Sequence, residues 1–416
     1  MINLETFKQE YATKNDIDWS LFQDVLEIIQ GVQKDGDVAL KAYTAKFDQV
    51  DLVDLEIPKE ALKQAYEAID DDLRTALEQA HDYIETYQNS IKWTDNESGE
   101  LYQKIHPLNK VGIYVPGGTA PLASTVLMTT VLANVAGVKE TIVVTPSKEG
   151  GVDHAILAAC YIAKADRVYQ VGGAQAIAAL AYGTETIPRV DKIVGPGNQY
   201  VALAKKLVYG DVGIDSIAGP SEIVVAVDET ANTKWVAYDL LAQAEHDVNA
   251  RTFLISEQES VLNKISKQVQ ELAQSQPRKD IILESLKQNH YVVHTSSKEE
   301  TIEAINLIAG EHVSIQTKDA ESYVDLITTA GALFIGEYSP EALGDYIAGP
   351  SHVLPTGGTA RFSNGLSVND FLRTNSVIHV NKETFKEMAP KGLPIAKVED
   401  LQAHHDSLQV RLGDIK

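Results

Sequence analysis

From Val111 to Gly336 the chain repeats one pattern: a short run rich in β-branched residues, then a stretch of helical length. The runs are VGIYV at 111–115, TIVVT at 141–145, RVYQV at 167–171 and KIVG at 192–195. A second series follows, with EIVVAVD at 222–228, TFLIS at 252–256, YVVHT at 291–295 and ALFIG at 332–336. Strands apolar along their whole length are covered on both faces, and an intervening helix returns the chain so that successive strands run parallel. The expected fold class is α/β, with two Rossmann-like domains built on parallel sheets, one inserted in the other.

The remaining segments read as additions to that frame. The first hundred residues form helices with charged faces, broken near Asp95–Gly99 where Asp, Asn, Ser and Gly cluster, and they read as scaffold. After Leu366 the pattern is irregular. The tail from Pro390, with Pro394 and a charged helix-like end, is too small to own a core and must pack on something. The expected boundaries are 1–110 for the helical N-terminal part of the first domain, 111–220 for the inserted α/β domain, 221–365 for the continuation of the first, and 366–416 for the tail. No internal repeat or low-complexity tract interrupts the chain.

Composition removes several function classes. The 416 residues carry a formal net charge of -23, a field that repels a phosphate backbone and argues against a nucleic-acid partner. Cys160 is the only cysteine and lies in the helical run DHAILAACYIAKA, where it reads as a small buried hydrophobe in a reducing compartment. The N-terminus MINLETFKQEYATKND lacks the apolar core of a secretion signal, so a cytoplasmic protein is expected. Val111 to Val138 is free of charge and long enough to span a bilayer, yet it opens as a strand and turns at Pro116, Gly117 and Gly118. A strand, a turn and a buried helix explain it better than a membrane span.

The chemistry-bearing residues are ambiguous one at a time. Gln243 and His246 end an apolar-periodic helix three residues apart, where an amide oxygen and an imidazole can grip one cation, or simply form a polar helix end. With one cysteine available, any zinc-like site must use His, carboxylate or amide donors. Asp345 by itself reads as a helix or turn cap before Gly349 and Pro350. Glu311 and His312 end the helical pattern EETIEAINLIAGEH, either as a cap with a dipole-compensating histidine or as two groups reaching different atoms of one substrate. Spacing does not choose between the adjacent His404 and His405, and Glu399 sits in an acidic helix start. No GxGxxG follows any strand, but glycines at 117 and 118, 172 and 173, and 195 and 197 fall just after predicted strands, where parallel sheets place ligand-binding loops.

Read together, the blocks are more specific. GPSE at 219–222 with the helix ending in AEH is joined by KVGIYVPGGTAP at 110–121, QVGGAQAIAAL at 170–180, VGPGNQYV at 194–201 and GEHVSI at 310–315. GDYIAGPSHVLPT at 344–356, ARFSNGLSV at 360–368 and LQAHHDSLQVRL at 401–412 complete the series. In content and order they resemble the histidinol dehydrogenase family over nearly the whole chain.

That resemblance implies oxidation of L-histidinol through L-histidinaldehyde to L-histidine with two NAD, the last step of histidine biosynthesis. It implies one Zn2+ per subunit held by Gln243, His246, Asp345 and His404, the family pattern selecting His404 over His405. It implies NAD contacts at Tyr114, Gln175 and Asn198, and substrate contacts at Ser221, Gln243, His246, His312, Asp345, Glu399 and His404. His312 is the implied general base, Glu311 the group that activates water, and His352 has a supporting role. The tail is implied to cross to a partner subunit in an intertwined homodimer. DVNA after His246 lacks a proline often found there, and Pro350 and Ser351 stand where many members carry Thr and Asn, departures that bear on loop shape. Three other readings compete: a related dehydrogenase for another small hydroxylated compound, a zinc hydrolase in which Glu311 activates metal-bound water, and a binding protein. Intact Glu399 and His404 weigh against the first, the lack of HExxH against the second, and the complete set of site groups against the third.

Overall fold

The structure is a computed structural model that describes residues 1–11, 20–96, 98–117, 121–149 and 151–414. Gly118, named above in the first glycine turn, lies outside the described residues. Two compact units are present: Met1–Lys92 with Leu108–Phe371, and Trp93–Pro107 with Leu372–Lys416.

The larger unit holds two six-stranded sheets. One runs in the order Ile2–Asn3, His290–His294, Arg251–Ser256, Glu222–Val227, His312–Gln316, Ala332–Ile335, all parallel. The other runs Glu56–Ile57, Arg167–Tyr169, Glu140–Val144, Lys110–Tyr114, Lys192–Val194, Gly213–Ile214, parallel except for the antiparallel Glu56–Ile57 at its edge. Every strand run read from the sequence forms, and VSIQT supplies the strand His312–Gln316. Glu222–Val227 and His312–Gln316 are buried along their whole length, as expected for strands covered on both faces.

Helices fill the space over the sheets for local reasons. Gly173–Tyr182 buries Ala174, Ala176, Ala178, Ala179 and Ala181, small side chains that let its axis approach the strands closely. Ala123–Ala136 is buried nearly all round, which accounts for the uncharged run from Val111 to Val138. Among the described residues no helix is long and apolar enough to cross a membrane. Side-chain oxygens of Asn232 and Asn198 cap the helices Thr233–Ala244 and Gln199–Val208, satisfying amides the first turn leaves unpaired.

The smaller unit pairs Leu101–Pro107 antiparallel with Leu372–Ile378 and adds the helices Lys382–Val398 and Gln402–Asp414, which pack on each other. Pro390 and Pro394 lie inside the first of these helices instead of ending it. Its only buried residues are Ala389 and Ala396, and the last helix buries none, while Ile395, Val398 and Val410 are exposed.

Candidate active site

Buried titratable side chains gather at the amino ends of two adjacent strands of the first sheet, Glu222–Val227 and His312–Gln316. His312 pairs in register with Ile223, so Glu222 and Glu311, each one residue earlier, meet at that edge. Glu311 Oε2 accepts from the Glu222 amide at 2.9 Å, and His312 Nδ1 lies 3.1 Å from the Glu222 carbonyl oxygen. Two consecutive residues are thus tied to the two backbone groups of one neighbour. The helix before them closes at Ile308, with Ala309 left-handed, so the divergence of Glu311 and His312 comes from strand geometry and not from a helix end.

Charge is concentrated here. Burial pushes the Glu311 carboxyl up to about 7. Burial disfavours the His312 imidazolium, but the facing carboxylates of Glu341, Glu311 and Asp345 outweigh it and hold the ring up at about 10. Nε2 of His312 is buried and without a hydrogen-bond partner among the described residues; Asp345 Oδ1 lies 3.6 Å away. Glu222 is buried, with its carboxylate 3.3 Å from Arg251 and accepting from the Gly357 amide at 3.0 Å.

Asp345 is carried by the short helix Glu341–Tyr346. His352 steadies that helix, with Nδ1 donating to the Asp345 carbonyl at 2.9 Å and Nε2 accepting from the Thr125 hydroxyl at 3.1 Å. Its imidazole is kept below the usual range, and so neutral, chiefly by burial. A cavity of about 390 Å3 opens beside His312, Asp345 and His352, walled by Phe334, Leu343 and Leu354.

Gln243 is fully buried in the last turn of Thr233–Ala244, and His246 follows just beyond. The helix stops at Ala244, so a turn presents His246 where the sequence suggested a continuous helical face; its amide still donates to the Gln243 carbonyl at 3.2 Å. Ligand atoms of His246, Asp345 and Glu341 all lie within 4.8 Å of one another. With its amide nitrogen turned to Glu341, Gln243 donates to Oε1 at 2.8 Å and Oε2 at 3.2 Å. A cluster of nitrogen and oxygen donors without thiolate fits a divalent cation of the zinc type.

Glu341 and Glu222 are site residues that the sequence reading did not single out. Glu222 sat unremarked at the end of GPSE, and Glu341 precedes Asp345 by four residues, the one signal that places both on the same helix face. Ser221 is half-buried just before Glu222, its carbonyl accepting from the Arg251 amide at 2.9 Å. Glu399 and His404 belong to the smaller unit. There Glu399 ends the helix Lys382–Val398, His404 is exposed, and its neighbour His405 is half-buried with Nδ1 3.2 Å from Asp406.

The second sheet carries its own cavity, of about 740 Å3, at the carboxyl ends of its strands. Strand order reverses there, with Lys110–Tyr114 between Glu140–Val144 and Lys192–Val194, the place where open α/β sheets bind ligands. Tyr114, Gln175 and Asn198 all line it. The Tyr114 hydroxyl accepts from the Gly173 amide at 3.1 Å, and burial raises its phenol to about 12, so it stays neutral. Gln175 is 1% exposed, yet its Oε1 has no partner among the described residues. Asn198 Oδ1 is engaged by the amides of Tyr200 and Val201. Gly195 has φ +110, and a Cβ there would run into the Tyr114 carbonyl oxygen, so only glycine lets this loop close on the strand. The corresponding carboxyl edge of the first sheet carries a smaller cavity of about 300 Å3, lined among the described residues by Asp228, Glu229, Glu257 and Asp319 against the single cation Lys298.

Comparison with known proteins agrees over the full length. The histidinol dehydrogenase family model matches residues 12–412. A histidinol dehydrogenase of Staphylococcus epidermidis is 52% identical over 413 residues, covering 99% of this chain and 100% of the relative. One of Staphylococcus saprophyticus is 50% identical over 412 residues, covering 99% and 97%. The crystal structure of histidinol dehydrogenase from Elizabethkingia anophelis superposes with a TM-score of 0.95 at 36% identity, covering 100% of this chain and 98% of that one. An acetylating aldehyde dehydrogenase from Geobacillus thermoglucosidasius, at TM-score 0.50 and 14% identity over 88% of this chain and 99% of its own, shares the fold alone. The chain belongs to the histidinol dehydrogenase family, oxidoreductases of histidine biosynthesis.

Proposed function

We propose that this protein oxidises L-histidinol to L-histidine in two steps at one site, reducing two NAD per substrate. The observation that carries the reading is the convergence of Glu311, His312, Asp345, Gln243 and His246 at one sheet edge, from three separate segments between 243 and 345.

The first oxidation needs a base for the hydroxyl proton while hydride leaves carbon for the nicotinamide ring. With a divalent cation offsetting the carboxylates of Glu341, Glu311 and Asp345 that now keep its ring protonated, His312 would be neutral and take that proton at Nε2, the nitrogen left without a partner once Nδ1 is tied to the Glu222 carbonyl. The aldehyde yields a second hydride only after water adds. Glu311, with its carboxyl near 7, is poised to accept the water proton at neutral pH.

Gln243, His246 and Asp345, with His404 of a tail, would hold a Zn2+ ion that supplies anchoring for the substrate's imidazole and amino nitrogens and offsets the carboxylates around His312. Ser221 and Glu399 complete the substrate contacts, Glu399 facing a cationic nitrogen. Retaining the molecule between steps keeps the reactive aldehyde from escaping.

NAD is read into the 740 Å3 cavity at Tyr114, Gln175 and Asn198, a size suited to a cofactor and bearing an unsatisfied buried amide oxygen. The tight and acidic edge of the first sheet repels a pyrophosphate, which supports the second sheet as the cofactor's seat. On this reading 111–220 is the NAD-binding part inserted between 1–110 and 221–365. The tail 366–416, with its exposed Ile395, Val398 and Val410, packs on a partner subunit in a cytoplasmic homodimer.

Assay of purified protein with L-histidinol, NAD and a defined divalent metal tests the reading. Two NADH per histidinol and loss of turnover on chelation are expected; a stoichiometry of one, or chelator-resistant activity, would overturn it.

A further inference from the structure

The wall of the 740 Å3 cavity opposite the glycine loops comes from the N-terminal helices, the part of the chain that reads as scaffold in sequence. Tyr43, Lys46, Phe47 and Asp48 line it from the end of the helix Ser20–Phe47. Asp48 is the residue there that stability does not explain.

Its position is unfavourable on two counts. It lies just past a helix C-terminus, where the aligned peptide dipoles repel negative charge. One carboxylate oxygen, Oδ2, is shut off from solvent and has no hydrogen-bond partner among the described residues. Burial accordingly pushes its carboxyl above the usual range. Asp48 nevertheless lines a ligand-sized cavity, and a half-buried carboxylate held there against the dipole, with one oxygen enclosed and unpaired, is suited to accept hydrogen bonds from a ligand.

The ligand chemistry follows from what a carboxylate offers. It is a pure acceptor with two oxygens, matched to the vicinal hydroxyls of a ribose. In dinucleotide sites with a glycine fingerprint, an acidic residue downstream of the glycines serves that purpose. This sheet lacks the fingerprint, and the acid arrives from an N-terminal helix instead. We infer that Asp48 is a cofactor-binding residue that accepts hydrogen bonds from a ribose diol of the dinucleotide in this cavity. The inference rests on the cavity being the NAD site.

Equilibrium binding of NAD, followed by calorimetry on the full-length protein, tests it without turnover. Asp48→Ala weakens NAD binding about 10- to 100-fold, the loss typical of hydrogen bonds to a charged group, and Asp48→Asn weakens it less. Affinity for L-histidinol stays at the wild-type value, and the thermal midpoint does not fall, since the substitution removes an unfavourable charge. A purely structural role would lower the midpoint. Competition by AMP and by nicotinamide mononucleotide tells which ribose is held: the mononucleotide whose binding Asp48→Ala weakens carries it. Gln175→Ala separates the two claims. If it weakens NAD binding while Asp48→Ala does not, the role of Asp48 is wrong and the cavity stands; if neither variant changes NAD binding, the cavity assignment fails as well.

Discussion

With its amide nitrogen turned to Glu341, Gln243 donates to Glu341 Oε1 at 2.8 Å, so a buried carboxylate fixes which end of a buried amide faces the histidine and aspartate beside it. Partners that orient metal-binding groups in this way commonly account for 10- to 100-fold in metal affinity. Glu341→Leu is therefore expected to weaken zinc binding by about 10- to 100-fold. Glu341→Gln, which keeps an acceptor oxygen, should restore part of it. Competition with a chromogenic chelator measures this directly, and equal affinities in all three proteins would rule the orienting role out.

Glu311 and His312 are expected to separate in single-turnover kinetics. His312→Asn slows the oxidation of L-histidinol by about 100- to 10,000-fold, the range typical for loss of a general base. Glu311→Gln mainly slows the oxidation of L-histidinaldehyde supplied as substrate. Because the Glu311 carboxyl stands near 7 and must be deprotonated to accept a proton, the second step should accelerate as pH rises through about 7. That dependence should vanish in Glu311→Gln. Equal losses in both steps would mean that the two roles are misassigned.

Lys205 and Asp215 form an ion pair with both side chains almost wholly buried, and both also bind the backbone of Gly195. Lys205→Met strands a buried carboxylate and should cost about 3–5 kcal/mol in urea denaturation, as for other broken buried pairs. Lys205→Met combined with Asp215→Asn should recover part of the loss, because the stranded charge is then gone. A single variant as stable as the wild type would show that the pair does not hold the loop.

His290 links pH to stability. Burial lowers its imidazole from 6.5 to about 4, with Nδ1 2.8 Å from the Thr252 hydroxyl and Nε2 without a partner among the described residues. Above pH 6.5 the ring is neutral folded or unfolded, so its contribution is intact. As pH falls toward 4 only the unfolded chain takes the proton, and stability drops. The full shift corresponds to a ceiling of about 3 kcal/mol; since part of the residue reaches solvent, about 1–2 kcal/mol is expected. His290→Gln should flatten unfolding free energy against pH over that window, and an unchanged slope would assign the acid sensitivity elsewhere.

Local sequence determined the elements. Runs such as EIVVAVD and TFLIS are apolar at every position because both faces of a parallel sheet are covered, and that requirement is written into each segment separately. The motif blocks carried the family for the same reason: each is a contiguous text. Tertiary structure decided what contiguous text does not encode. Parallel register set Glu311 and His312 against Glu222, about ninety residues away, and the end of a helix at Ala244 put His246 on a turn. Glu341 gained meaning only through the Gln243 amide, and Asp48, in a segment that reads as scaffold, only through the cavity it borders. Periodicity records which residues leave water, because burial is a local demand on each side chain. Which buried groups then meet is settled by long-range strand order and register, where Glu311 and Asp48 acquire neighbours that their own segments do not predict.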